Sequence, residues 1–148
     1  MRILIAGASG YIGGRLSTCL ASEGHQIIAL CNSTIPKDLA WANQMEVVLK
    51  VDISSYQEVE QLNKYNIDVI INLVSLDHYQ SNGIASNVSS VNVEPTWSFL
   101  QVFAERGLKK YIYLSTIHVY GNNLKGEISE LSPTNPGNQY GLTHLLSE

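Results

Sequence analysis

Several features that define other classes of protein are scarce in this chain. It has two cysteines, Cys19 and Cys31, whose spacing fits no zinc motif and whose number excludes a secreted disulfide scaffold. We therefore expect a reducing, cytoplasmic setting. Charged residues make up only 15% of the sequence, whereas disordered chains combine high charge with low hydrophobicity. The first apolar run, residues 3–6, is too short for a signal peptide or a membrane span, so no membrane contact is expected.

Basic residues and metal-binding patterns are scarce as well. The nine Lys and Arg residues are scattered and the net charge is −4, which predicts no surface for nucleic acid. The spacing of His78, His118 and His144 fits no metal motif, so no metal site is predicted. What the sequence does have is 45% hydrophobic residues over 148 positions, enough for one globular domain with a core.

Short apolar runs alternate with stretches of helical periodicity. The predicted strands are residues 3–6, 26–31, 46–51, 67–74 and 110–115, and the predicted helices are residues 11–22, 55–65, 87–106 and 140–148. Continuously apolar strands separated by helices predict a parallel sheet covered on both faces, an α/β fold. Right-handed crossovers make such a sheet doubly wound, and its ligands bind beyond the carboxyl ends of the strands.

Local signals refine the helices. The first helix should bury one face, formed by Ile12, Leu16, Cys19 and Leu20. Ser55 and Glu58 form a capping-box pattern that starts the second helix. Pro95 should bend the third helix or mark its first turn. Residues 116–139 are rich in Gly, Asn, Ser and Pro and predict a loop.

The most informative motif is the glycine turn after the first strand, with Gly7, Gly10 and Gly13 three residues apart. The first glycine permits a tight turn, the second lets a pyrophosphate approach the backbone, and the third allows close helix–strand packing. A purely structural turn is the alternative. Because the turn follows an apolar strand and opens a helix, it predicts an NAD(P)-binding Rossmann domain over residues 1–148.

The choice between NAD and NADP stays open. The second strand ends in Cys31 and Asn32, with neither a carboxylate for a ribose hydroxyl pair nor an arginine for a 2′-phosphate. Asn32, Ser33, Thr34 and Lys37 can bond either cofactor, with a slight preference for NADP because no negative charge repels its phosphate. Asp52, after the third strand, either accepts a hydrogen bond from adenine or caps the next helix.

Five segments together resemble the extended short-chain dehydrogenase/reductases, the NAD-dependent epimerase/dehydratase group. They are residues 7–13, 72–75, 92–96, 113–121 and 132–144. The resemblance implies that Ser9, Tyr11 and Ile12 of the glycine turn contact the cofactor. It implies the same for Ile53 beside Asp52, and for a segment lining the cofactor formed by Leu73, Val74 and Ser75.

The resemblance also implies a redox chemistry carried by a Ser/Thr hydroxyl and a tyrosine. Thr116 occupies the hydroxyl position and holds the substrate oxygen, with Ser115 as its neighbour. Tyr140 is the general acid or base and also contacts the cofactor. The family's lysine, four residues later, is replaced by His144. A neutral imidazole can donate one hydrogen bond, and a protonated one would lower the pKa of Tyr140.

Three hypotheses for function remain. The resemblance implies an enzyme that acts on a nucleotide sugar in polysaccharide biosynthesis, with a chain about twice as long, a C-terminal substrate domain absent here, and a homodimer. The sheet is then incomplete at its C-terminus, and apolar Leu142, Leu145 and Leu146 should be exposed. His144 and the missing ribose carboxylate favour the second hypothesis, a non-catalytic NAD(P)-binding module. The third is a plain structural domain.

Overall fold

The computed structural model describes residues 1–32, 36–77, 85–122 and 124–148. Its centre is a five-stranded parallel sheet with the strand order β3-β2-β1-β4-β5. The strands are β1 (Arg2–Ala6), β2 (Gln26–Cys31), β3 (Val47–Lys50), β4 (Val69–Asn72) and β5 (Lys110–Tyr113). The predicted parallel sheet is thereby confirmed, with the third, fourth and fifth strands shorter than expected at their ends.

Helices connect the strands on both faces of the sheet. They are α1 (Tyr11–Ser22), α2 (Leu39–Ala42), α3 (Tyr56–Glu60), α4 (Ala85–Asn92), α5 (Glu94–Phe103) and α6 (Gln139–Leu145). Short 3₁₀ helices follow at Gln61–Lys64, Ala104–Arg106 and Ile117–Tyr120. Helix α2 was not predicted, because only four residues form it and so short a segment shows no periodicity. The turn at Ile117–Tyr120 lies in the segment predicted as loop.

The strand order places a switch point beside β1. The chain moves outward from β1 through β2 to β3, and then returns to pair β4 with the other side of β1. Crossovers therefore leave β1 and β4 in opposite directions, which opens a crevice at their carboxyl ends. This doubly wound arrangement confirms the predicted fold class and fixes where a ligand site should lie.

Two hydrophobic clusters cover the two faces of the sheet. One joins β1, β2 and β4 to helices α3 and α5, through residues such as Leu4, Ile70, Val59, Phe99 and Phe103. The other joins the same strands to helices α1 and α2, through residues such as Ile5, Ile27, Ile71, Leu16 and Trp41. Alternate residues of each strand enter alternate clusters, as a buried parallel sheet requires.

Helix α1 packs through a different face from the one predicted. Ile12 and Cys19 are exposed, whereas Gly13 and Ser17 are buried, with Leu16 and Leu20 partly buried beside them. The small residues let the helix approach the sheet closely, so apolar periodicity alone gave the wrong centre for the face. The Ser17 hydroxyl also accepts a hydrogen bond from the buried indole N–H of Trp41, at 2.9 Å.

The predicted third helix is two helices. The chain breaks at Val93, and Pro95 lies in the first turn of α5, one of the two positions that were expected for it. Helix α6 begins at Gln139, one residue before the predicted start, because the Asn138 side chain caps it by accepting a hydrogen bond from Gly141 N at 2.8 Å. Within the described ranges, no helix is long and apolar enough to cross a bilayer.

Candidate functional site

A cavity of about 260 Å³ lies at the carboxyl ends of the strands, at the switch point. It is formed by the segments that follow β1, β2, β3 and β4. The predicted cofactor-binding residues that line it are Gly7, Ser9, Gly10, Asn32, Asp52, Ile53, Leu73, Val74 and Ser75. Four separate stretches of sequence thus meet where the doubly wound fold places its ligand.

The glycine turn closes one side of this cavity. Gly7 has a φ of +83°, a conformation that side chains rarely adopt, and its carbonyl oxygen accepts a hydrogen bond from Gly10 N at 3.0 Å. The N–H groups of Gly7 and Ala8 both donate to the carbonyl oxygen of Leu30, at 3.1 and 3.0 Å. The turn is therefore tied to β2 as well as to its own strand.

The turn leaves room for an anion. A Cβ on Gly13 would overlap the Gly7 carbonyl oxygen, so only glycine allows helix and turn to meet this closely. Helix α1 begins after Gly10 without a side-chain cap. The N–H groups of its first turn and the positive end of its dipole are thus available to a phosphate. These features fit a pyrophosphate, as the sequence predicted.

Tyr11 and Ile12 lie at the start of α1 with their side chains turned to solvent, 77% and 52% exposed. Neither side chain lines the cavity, and neither does buried Gly13, so these three positions can serve a ligand only through backbone N–H groups. The guanidinium of Arg15 lies 3.8 Å from the Tyr11 ring centroid and donates to the Tyr11 carbonyl at 3.3 Å. A positive charge therefore stands beside the helix N-terminus.

The end of β2 presents neutral groups to the cavity. Cys31 is buried there, and burial raises the pKa of its thiol above the usual value, against the smaller opposite effect of hydrogen bonds with Ser9. Asn32 follows it at the cavity wall. Lys37 is exposed and does not line the cavity, whereas Ser33 and Thr34 lie outside the described residues. Among the residues that the structure describes at this wall, Cys31 and Asn32 line the cavity, and neither side chain is an acid or a base of the Asp, Glu, Lys or Arg type.

Asp52 does not cap the following helix, which corrects one of its two predicted roles. Ser55 caps α3 by accepting a hydrogen bond from Glu58 N at 3.4 Å, and the Glu58 carboxylate accepts one from Asp52 N at 2.7 Å. Oδ1 of Asp52 instead accepts hydrogen bonds from the N–H and hydroxyl of Ser54, at 3.0 and 2.7 Å. Its carboxylate remains on the cavity wall beside Ile53. Adenine recognition by Asp52 stays a prediction.

Asn72, at the end of β4, stabilises the segment from Leu73 to Ser75 that lines the cavity. This role was not predicted from the sequence. Asn72 is fully buried, and its Oδ1 accepts a hydrogen bond from Val74 N at 3.1 Å. Its Nδ2 donates to the Tyr111 hydroxyl at 3.2 Å, which in turn lies 3.0 Å from the Thr96 hydroxyl. One polar residue ending an apolar strand was the available signal. The network fixes the path of the segment from Leu73 onward.

A second buried asparagine joins that segment to α6. Oδ1 of Asn92 accepts a hydrogen bond from Leu76 N at 2.7 Å, and its Nδ2 donates to the Thr143 hydroxyl at 3.0 Å. The Ser147 hydroxyl donates to the Asn92 carbonyl at 2.7 Å. Because two of these bonds are buried and the third is partly buried, they hold the end of α4, the segment after β4 and α6 together.

Thr116 begins the 3₁₀ turn that follows β5. Its hydroxyl accepts a hydrogen bond from His118 N at 3.4 Å, so it caps that turn. Thr116 lines an open depression of about 450 Å³ together with Ser115, Tyr120 and Glu148. The Ser115 hydroxyl donates to the Glu148 carboxylate. The predicted substrate-binding hydroxyl is thus half-exposed at the edge of an open surface.

Tyr140 packs against the same turn from α6. Its ring meets the His118 ring edge-on, with centroids 5.5 Å apart. The next residue, Gly141, is buried against the turn, and a Cβ there would lie 2.5 Å from the His118 carbonyl oxygen. The fold therefore brings the segment that carries Thr116 against the start of the helix that carries Tyr140, as the predicted pairing of their roles requires.

His144 lies one helical turn after Tyr140 and is 1% exposed. Its Nδ1 lies 2.9 Å from the Tyr113 hydroxyl, and its ring centroid lies 4.5 Å from that of Tyr140. Burial lowers the pKa of the imidazole, the nearby charge of Glu148 raises it and that of His118 lowers it. The position of the family's lysine is thus occupied by a buried group that favours the neutral state.

Among the described residues, no three His, Cys, Asp or Glu side chains come close enough to hold a metal ion. His78 lies outside the described residues.

A parallel sheet of this order, with a glycine turn opening α1 at the switch point, defines a dinucleotide-binding domain of the Rossmann type. The chain belongs to the NAD dependent epimerase/dehydratase family, which matches residues 3–148.

Characterised proteins resemble this chain in sequence or structure over nearly its whole length. The UDP-glucose 4-epimerase of Halalkalibacterium halodurans is 30% identical over 156 residues, an alignment that covers 100% of this chain and 44% of that protein. The structure of the UDP-Glc/GlcNAc 4-epimerase from Campylobacter jejuni superposes with a TM-score of 0.87 at 26% identity, over 99% of this chain and 46% of that one. MoeE5, solved in complex with UDP-glucose and NAD, gives 0.84 at 25% identity, over 99% and 46%. The chain therefore spans less than half the length of these relatives.

Proposed function

We propose that residues 1–148 form the NAD-binding domain of an enzyme that epimerises or dehydrates a nucleotide sugar. The observation that carries the proposal is the cavity at the switch point, with an uncapped helix N-terminus beside a turn that only glycine fits. Family membership and relatives with nucleotide-sugar activity support the substrate class. A substrate domain and a dimer contact lie outside the chain in this proposal.

NAD is the proposed cofactor, in place of the slight preference for NADP drawn from the sequence. The family is named for NAD dependence, and a neighbour at 25% identity carries NAD. In this assignment the first turn of α1 binds the pyrophosphate, Asn32 bonds the adenosine ribose, and Asp52 accepts from the adenine amino group. When bound, NAD accepts a hydride from the substrate carbon and returns it.

Thr116, which lines the second depression, and Tyr140, which packs against the same 3₁₀ turn from α6, do the proton chemistry in this proposal. Tyr140 removes a proton from the substrate hydroxyl or returns one to a carbonyl, and the Thr116 hydroxyl holds the same oxygen in place. Their positions on a turn and a helix that pack together support the pairing. Hydrogen bonds with Asn92 on α4 and Tyr113 on β5 hold α6, the helix that carries Tyr140, in a fixed position relative to the sheet.

The second candidate is a non-catalytic NAD-binding module. The burial of His144 and its lowered pKa favour it, because both disfavour a positive charge at the position where the family has lysine. In the first proposal, the enzyme is located in the cytoplasm and takes part in polysaccharide biosynthesis. The free thiol of Cys31 and the nucleotide-sugar relatives support this location and this role.

The test is turnover by the complete protein. Tyr140→Phe should lower kcat for interconversion or dehydration of UDP-glucose by about 10²- to 10⁴-fold, with NAD affinity little changed, because only the proton-transfer group is lost. Thr116→Val should lower it less. Tyr56→Phe, which removes a hydroxyl on α3 at a half-buried site, is the matched control and should retain activity. If the protein binds NAD but converts none of the nucleotide sugars that are tested, the result would support the non-catalytic module instead.

A further inference from the structure

The surroundings of His144 carry more information than its place in the sequence. Its imidazole lies between two tyrosine rings, with centroids 5.4 Å from Tyr113 on β5 and 4.5 Å from Tyr140 on its own helix. Nδ1 meets the Tyr113 hydroxyl, whereas Nε2 is buried and has no hydrogen-bond partner among the described residues. Such an imidazole is held by packing and by one directed bond.

We infer that Tyr113 is a positioning residue. Its hydroxyl donates to Nδ1 of His144 and fixes that imidazole as the neutral tautomer with the proton on Nε2, and the fixed imidazole holds the ring of Tyr140 in place. The role of Tyr140 as acid or base rests on the proposed function, whereas the state of His144 does not. His144 thus supplies orientation rather than charge at the position one helical turn after Tyr140.

The direction of the bond follows from the chemistry of the two groups. A phenol O–H is a good donor, and an imidazole nitrogen is a stronger acceptor than a phenol oxygen. Burial raises the pKa of Tyr113 to about 12, so its hydroxyl keeps the proton that it donates. When Nδ1 accepts, a neutral imidazole must carry its own proton on Nε2.

A charged His144 is disfavoured by its whole environment. A cation there would lie in a site that is 1% exposed, where removing a charge from water is costly unless that charge is paired. The charged and titratable groups around it are Tyr113 on β5, His118 on the 3₁₀ turn, and Tyr140 and Glu148 at the two ends of its own helical segment. Of these only Glu148 favours protonation, and it is exposed and bonded to Ser115.

Stability against pH follows from the lowered pKa of His144. The folded chain binds a proton on His144 less readily than the unfolded chain does. The contribution of the neutral imidazole to the free energy of unfolding is therefore complete above about pH 6.5 and is lost as the pH falls below that value. His144→Gln should remove this part of the acid destabilisation. Asp68, whose pKa is lowered chiefly by its hydrogen bond with Lys109, acts only at more acidic pH and serves as the internal reference.

The direct test is NMR of the imidazole nitrogens in the intact chain. We expect the His144 signals, identified by their loss in His144→Gln, to show the Nε2–H tautomer and to titrate at a lower pH than those of exposed histidines. Tyr113→Phe should give a tautomer mixture and a changed Tyr140 ring signal. Tyr65→Phe, a half-buried hydroxyl on the far side of the core, should change neither.

Each outcome decides one claim. Protonation of His144 near pH 6.5, or an Nδ1–H tautomer in the unaltered chain, overturns the inference even where Tyr113→Phe fails to fold. An unchanged Tyr140 signal in folded Tyr113→Phe overturns the positioning role. NAD binding is measured on the same samples, so loss of the proposed function would show separately as a chain with the expected tautomer and no affinity for NAD.

Discussion

Replacing Gly13 by alanine is expected to lower the free energy of unfolding by about 3 kcal/mol and to abolish NAD binding. The added Cβ would overlap the carbonyl oxygen of Gly7 and lie 2.8 Å from the Cα of Ala8. Both are backbone atoms of a turn anchored to β2, so neither can move without breaking the bonds to Leu30. Chemical denaturation and a calorimetric titration with NAD measure the two effects.

The adjacent glycine gives a matched control. A Cβ on Gly14 would meet no atom closer than 3.7 Å, which is ordinary contact. Gly14→Ala should therefore keep the fold and NAD affinity, and it should gain up to about 1 kcal/mol from helix propensity. If Gly13→Ala and Gly14→Ala are equally stable, α1 does not pack against the glycine turn at the close distances that exclude a Cβ on Gly13.

Gly10→Asp is expected to weaken NAD binding by at least about 100-fold while the chain stays folded. The backbone at Gly10 has a φ of −75°, which any residue can adopt, so the turn itself should survive. The added carboxylate would stand at the cavity wall beside the N-terminus of α1. There it repels the pyrophosphate and competes for the N–H groups that should bind it.

Gly10→Asn separates charge from shape, because its side chain has the same size and no charge. Its Cβ would lie 3.2 Å from the Gly7 carbonyl oxygen, so a smaller loss of affinity is expected from crowding alone. The fluorescence of bound NADH measures the dinucleotide affinity of both variants. If Asn and Asp weaken binding equally, the site does not hold a phosphate by the helix N-terminus.

Much of the fold could be predicted because its signals are local. The strands are continuously apolar, the glycine turn forces a strand–turn–helix unit, and Ser55 marks the start of α3 by its own chemistry. The place of the cavity followed from the same logic, since the carboxyl ends of parallel strands share one edge, whereas Leu73, Val74 and Ser75 were expected there from the family resemblance. Leu142 and Leu146 are exposed, as the sequence suggested, whereas Leu145 is partly buried.

What could not be predicted depends on contacts between distant residues. The buried face of α1 is centred on Gly13 and Ser17 because Trp41, on an unpredicted helix, bonds to Ser17. The same holds for Asn72, whose partner Tyr111 lies 39 residues away. The sequence places His144 at the position of the family's lysine, but only the fold shows that it is buried beside Tyr113 on β5, with a pKa that burial lowers.

The central claim is that the cavity at the switch point binds the adenosine and pyrophosphate of NAD. Calorimetric titration of the unaltered chain with NAD and then NADP tests it most directly. We expect saturable binding of NAD, weaker binding of NADP, and loss of the heat of binding in Gly10→Asp. A chain shown to be folded by circular dichroism that releases no heat with either dinucleotide would contradict it.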